Sequence, residues 1–135
     1  MMAVKIVVVD SAQLPSGAEF PPLEANKYGW EEYPSLTAEE LLDRCWRAEI
    51  IVLLSSHINV DRAMMEKMPR LQLVITVGDA AAQLDQVAAR DQGVELLAFS
   101  DALGSDVAAA QDLCNRITQA IDYYLRSIDG RGGLR

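Results

Sequence analysis

Residues 71–97 read LQLVITVGDAAAQLDQVAARDQGVELL, and their order of patterns sets the fold. Leu71–Val77 is a short apolar run rich in β-branched residues, which reads as a strand buried on both faces. The loop VGDAAAQ follows, then a small-residue helix over Leu84–Asp91, Gly93 as its stop, and a second strand from Val94 to Ala98. Strand, helix and strand within so few residues form a βαβ unit, so the two strands are expected to be parallel and joined by a right-handed crossover.

The same alternation extends outward from this unit. Val4–Val9 (VKIVVV) is another buried strand, ending at Asp10. The segment from Ser11 to Asn26 holds three of the five prolines and reads as a long loop, while Tyr28–Tyr33 (YGWEEY) is a short edge strand stopped by Pro34. Thr37 followed by Glu40 forms a capping box, and Leu41, Leu42, Cys45 and Trp46 continue at helical spacing to about Arg47. Glu49–Leu54 is the next strand, SSHIN a loop, and Asp61 caps the short helix RAMMEKM, closed by Pro69. The pattern predicts a flavodoxin-like α/β domain with a five-stranded, mostly parallel sheet in the order 2-1-3-4-5.

The last helix is long. From Ser105 to Ile128 it would extend roughly 36 Å at 1.5 Å per residue, whereas a six-residue strand covers about 20 Å. Val107, Ala110, Cys114, Ile117, Ile121, Tyr124 and Ile128 recur at 3-4-3-4 spacing along it. An apolar stripe overhanging its sheet asks for a partner, and the expectation is a homodimer formed through these seven residues or a second domain docked on them. The expected organisation is therefore residues 1–104 as the α/β domain, 105–128 as an interdomain or dimerisation helix, and 129–135 (DGRGGLR from 129) as a flexible tail.

Composition narrows the function classes. Half of the 135 residues are apolar, 24% are charged, and the net charge is −8. A chain so acidic, with no basic cluster, is a poor partner for nucleic acid or anionic membrane. Cys45 and Cys114 lie inside predicted helices and His57 is the only histidine, so neither a structural metal site nor a disulfide framework is expected. The N-terminal apolar run is too short for a signal peptide core, which makes the cytoplasm the expected location.

In a sheet of this order, the strand ends gather Asp10, Ser55, Ser56, His57, Thr76, Gly78, Asp79 and Asp101 at one edge. Such loops are commonly polar only because they face water. A phosphoacceptor site needs an acidic pair after the first strand, where Asp10 stands alone, and an aspartate after the third, where the sequence is LSSH. Neither GxGxxG nor GxxxxGK[ST] occurs, so no nucleotide fingerprint is present. Ser55, His57, Val77, Gly78, Asp79 and Ala80 are the candidate ligand-binding residues, with no catalytic, metal or cofactor residues assigned.

KIVVVD, TAEELLDRCWRAEIIVL, NVDRAMMEKMPRLQLV and especially LDQVAARDQGVELLAF resemble the substrate-binding half of the D-isomer-specific 2-hydroxyacid dehydrogenases over Val4 to about Arg126. Leu84, Asp85, Ala88, Ala89, Arg90 and Gly93 fall in order on that family's motif. The resemblance implies that backbone N–H groups of Val77–Ala80 face a substrate carboxylate. Asp79, Ala81, Ala82 and Gln83 depart from the family pattern there, and a carboxylate at Asp79 about 5 Å from a bound carboxylate would cost around 3 kcal/mol at an effective dielectric near 20. In that family a Rossmann domain brings NAD and the catalytic arginine, glutamate and histidine, none of which His57 or any other residue here matches. The resemblance therefore implies a truncated, separately inactive binding or assembly module. Part of a split NAD-dependent oxidoreductase, completed by a Rossmann-type partner, and a small-ligand sensor are the alternatives.

Overall fold

The computed structural model describes residues 4–24, 27–55 and 57–130, with the side chains of residues 83 and 128–130 outside that description. The chain divides into two compact units, Met1–Gln13 with Tyr28–Leu103, and Leu14–Lys27 with Gly104–Arg135. All five strands belong to the first. They are β1 (Val4–Val9), β2 (Tyr28–Tyr33), β3 (Ile50–Leu53), β4 (Leu73–Val77) and β5 (Glu95–Phe99). They form one parallel sheet in the order β2-β1-β3-β4-β5, as the sequence pattern predicts.

The three central strands are buried on both faces, which is why their sequences are nearly continuous apolar runs, broken only by the half-buried Lys5 and by Thr76. Val7, Val9, Ile51, Leu53 and Val74 point to one face and form a single cluster with Leu41, Cys45, Met64, Met65, Met68, Ala88 and Ala89. All but one of those partners come from three helices, α1 (Ala38–Cys45), α2 (Arg62–Glu66) and α3 (Gln86–Asp91), and Met68 lies two residues past the end of α2. The alternate residues Ile6, Val8, Ile50, Val52, Leu73 and Ile75 are equally withdrawn from solvent. Burial pushes the Cys45 thiol up to about 12.

Helix α1 starts where the capping box places it. Thr37 accepts the Glu40 N–H, and Glu40 accepts the Thr37 N–H in return. Asp61 caps α2 through the Met64 N–H. The third helix departs from the sequence reading, because Asp85 is its N-cap and accepts the Ala88 N–H, so Leu84 and Asp85 lie outside it. Leu84 instead bridges Val60, and the Asp85 N–H donates to the Val60 carbonyl at 3.1 Å. The loop before it, Gly78–Gln83, winds as a 3-10 helix.

In the second unit, α4 (Val107–Gly130) begins after Asp106, whose carboxylate accepts the Ala109 N–H. The proline-rich segment is tied to this helix. Gln111 both accepts the Glu19 N–H at 2.9 Å and donates to the Glu19 carbonyl at 2.7 Å. One helical span further on, both carboxylate oxygens of Asp122 accept the Glu24 N–H. These bonds pair backbone groups of Glu19 and Glu24 with side chains of α4 in place of a ladder.

Of the seven residues expected to form an interface, Ala110, Cys114, Ile117 and Ile121 are buried within a single copy, Tyr124 is half-buried and Val107 is exposed. The Ile128 side chain lies outside the described residues, as do residues 131–135 of the expected tail.

Candidate functional site

A cleft of about 460 Å³ opens at the carboxyl ends of the strands, lined from the loops after β1, β3, β4 and β5. Gln13 comes from the 3-10 turn Ser11–Gln13, Leu54 and Ser55 from the end of β3, Val77–Asp79 from the end of β4, and Ser100–Leu103 from the segment after β5. A parallel sheet places all of these loops at one edge, and ligands in open α/β folds sit outside the carboxyl ends of the strands.

Gly78 sets the shape of the cleft floor. Its φ is +60°, and a Cβ there would stand 3.2 Å from the Asp101 carbonyl oxygen. Both the backbone conformation and the close approach of the β5 loop demand glycine. Asp79 beside it is exposed, whereas Ala80 turns into the core with 1% of its surface accessible. Asp79 and Asp101 are both in the lining, which among the described residues includes no lysine, arginine or histidine.

Behind the cleft stands a cluster of residues that the strand order gathers at this edge, though sequence spacing does not reveal how they pair. Asp10, 3% exposed, adopts φ +67°, a left-handed conformation that aspartate tolerates better than most residues. Its carboxylate accepts the Ser55 hydroxyl, lies 3.0 Å from His57 Nδ1, and receives the Leu36 N–H at 3.4 Å. The ring's Nε2–H donates to the Leu36 carbonyl at 2.9 Å, so Nδ1 is the nitrogen that faces Asp10 and Ser55, the latter at 2.8 Å. The network joins the end of β1, the loop after β3 and the approach to α1. With Ser55 Oγ held by the carboxylate and both ring nitrogens engaged, it acts as a brace that fixes Ser55 at the cleft wall.

The structure therefore brings Ser55, Val77, Gly78 and Asp79 to one cleft, with His57 one contact behind Ser55. Ala80 faces the core. Ser56 lies outside the described residues. Asp10, 45 residues from Ser55, is the carboxylate partner of His57 that local sequence could not identify, and Gln13, Ser100, Ala102 and Leu103 carried no motif at all. Among the described residues no group of three or more His, Cys, Asp or Glu side chains could hold a metal ion, and no helix is long and apolar enough to cross a membrane.

A pyrophosphate is usually held at a helix N-terminus entered through a glycine-rich turn. Here β1 leads into a three-residue 3-10 turn and β4 into a six-residue one.

Comparison with known proteins agrees with this architecture. Residues 6–111 match the family model described as D-isomer specific 2-hydroxyacid dehydrogenase, catalytic domain. A provisionally named 2-hydroxyacid dehydrogenase of Haemophilus influenzae is 29% identical over 91 residues, which cover 67% of this chain and 28% of that protein. In fold, the chain is similar to apo D-lactate dehydrogenase from Escherichia coli, with a TM-score of 0.53 at 12% identity, covering 73% of this chain and 31% of that one. The pyruvate reductase of Chlamydomonas reinhardtii gives the same TM-score at 9% identity, with 73% and 30% covered. The chain spans less than a third of the length of each of these proteins. The matched sequence, the strand order and the strand-end cleft together place this chain in the D-isomer specific 2-hydroxyacid dehydrogenase family, over its catalytic domain.

Proposed function

We propose that this chain is a ligand-holding domain of the 2-hydroxyacid dehydrogenase type, which takes a small 2-hydroxy or 2-oxo acid into the strand-end cleft and performs no hydride transfer by itself. The observation that carries the reading is the cleft, with the tight Val77–Asp79 turn on its floor and Ser55 braced at its wall. Hydride transfer needs a nicotinamide held against the substrate, and β1 and β4 lead into 3-10 turns rather than the glycine-rich helix starts that commonly hold a pyrophosphate, which supports the reading. The exposed Asp79 in the lining argues for weak rather than tight binding of anions.

The test is a titration of uniformly ¹⁵N-labelled protein with lactate, glycerate and pyruvate, followed by amide shifts, with NADH absorbance as a parallel readout. Saturable shifts confined to Ser55, Gly78, Asp79 and Ser100–Leu103 are expected, with no consumption of NADH above the buffer rate. Absence of localised shifts defeats the binding reading, and NADH turnover by the chain alone defeats the other half. A second reading is favoured by the greater length of the relatives, in which a dinucleotide-binding partner completes an oxidoreductase. A neighbouring reading frame encoding GxGxxG with catalytic arginine, glutamate and histidine would support it.

A further inference from the structure

Strand β5 ends the sheet in an unusual way. All but its last residue are exposed, with Leu96 at 37% and Leu97 at 36%, and β4 is its only strand neighbour among the described residues. Glu95, Leu97 and Phe99 pair with Leu73, Ile75 and Val77, while Leu96 and Ala98 pair with Val74 and Thr76. Leucines therefore stand exposed on both faces of one edge strand. Natural edges are generally protected by shortness, charged side chains, proline, a bulge or a covering segment, and in the five-residue ELLAF the one charge, Glu95, stands at the start and leaves Leu96–Phe99 without lysine, proline or any other charge.

The backbone fixes which groups are open. The Glu95 N–H donates to the Gln72 carbonyl at 2.8 Å. In a parallel ladder, Glu95, Leu97 and Phe99 accordingly turn their backbone groups toward β4, and Leu96 and Ala98 turn both N–H and C=O outward.

We propose that β5 is a self-association edge, at which two copies of this chain pair their β5 strands antiparallel about a twofold axis through Leu97. In that register Leu96 exchanges both backbone bonds with the partner's Ala98, and Ala98 does so with the partner's Leu96. Leu97 meets the partner's Leu97 as a non-hydrogen-bonded pair, the arrangement that brings side chains closest. Glu95 lies across from the partner's Phe99, so no like charges oppose. Centring on Ala98 would set Glu95 against the partner's Asp101, and centring on Leu96 would leave Phe99 opposite the partner's Gly93, beyond the strand. The Leu97 register alone pairs all five residues without a charge conflict. One short strand contributes less than a standard interface, so the expected dimer is a weak, reversible one. The carboxyl ends of antiparallel strands point oppositely, so the two clefts open at opposite edges of the joined sheet, and the pairing does not depend on what the cleft binds.

The test combines cross-linking with sedimentation. Cα atoms of a non-hydrogen-bonded pair are about 4.5 Å apart, within disulfide range, and the native Cys45 and Cys114 are both buried. L97C is expected to form a covalent dimer on mild oxidation, whereas E95C, whose counterpart lies four residues away across the axis, is not. The wild-type chain should show a concentration-dependent monomer–dimer equilibrium that Leu97→Lys abolishes while circular dichroism stays unchanged. A strict monomer up to hundreds of micromolar, equal cross-linking of L97C and E95C, or a dimer that survives Leu97→Lys would each overturn the proposal, the last by pointing to another surface or partner.

Discussion

Gly78 shows how one residue can shape the candidate site. Its φ of +60° costs an L-residue on the order of 1–2 kcal/mol, and the Asp101 carbonyl at 3.2 Å from a Cβ adds steric pressure. Gly78→Ala is expected to lower stability by about 2 kcal/mol in urea melts and to weaken the organic-acid shifts at Ser100–Leu103; unchanged melts would show that the turn relaxes freely. Asp79 acts by charge instead. It is exposed, so water screens most of its repulsion of a bound carboxylate, and Asp79→Asn is expected to tighten lactate binding about fivefold, or about 1 kcal/mol. Equal affinity for both proteins would remove Asp79 from the cleft's electrostatics. Cys45 carries a pH dependence of defined sign. The thiol ionises near 9 in the open chain and near 12 in the fold, so the unfolded state releases its proton first, and stability that is full below pH 9 declines as pH rises toward 12. Cys45→Ala should flatten that part of the profile, measured by chemical denaturation at fixed pH steps, and an identical slope in the variant would assign it elsewhere.

Elements were legible where the period of the sequence and the local caps agree. The apolar runs at Val4–Val9, Ile50–Leu53 and Leu73–Val77 yield buried parallel strands because only central strands are covered on both faces. Thr37 and Glu40 set the start of α1 as read. The start of α3 was misread because Leu84 fits the helical spacing, yet its bridge to Val60 and the Asp85 cap hold it outside. The cleft was half visible. Strand ends follow from strand order, but the Asp10 brace joins residues 45 apart and leaves no local signal. The burial of α4 was also hidden, because a helical stripe shows which face is apolar and not what shields it. One position on that stripe is imperfect. Thr118, 4% exposed, has an Oγ1 with no hydrogen-bond partner among the described residues. Thr118→Val keeps the shape and removes the stranded hydroxyl, so a gain of about 1 kcal/mol is expected. A loss in thermal or urea melts would mean that the hydroxyl finds a partner in solution.

At the scale of the whole molecule, charge sets how the chain responds to its medium. Twenty acidic residues against twelve basic ones leave −8 on 135 residues, and the same sign recurs at the cleft through Asp79 and Asp101. The described ion pairs, Lys5–Glu31, Arg62–Asp91, Arg116–Asp112 and Arg126–Glu24, are exposed or partly so, and contribute little individually. Net repulsion is therefore the larger electrostatic effect, and it opposes both compaction and the meeting of two copies. Salt shortens the Debye length from about 30 Å at 0.01 M to about 8 Å at 0.15 M, which suppresses long-range repulsion more than close pairs. The melting temperature is accordingly expected to rise by a few degrees as NaCl goes from 10 to 150 mM, while the β5 dimer tightens over the same range. Scanning fluorimetry and sedimentation on one salt series would check both, and a melting temperature that falls with salt would mean that the exposed ion pairs outweigh the excess negative charge.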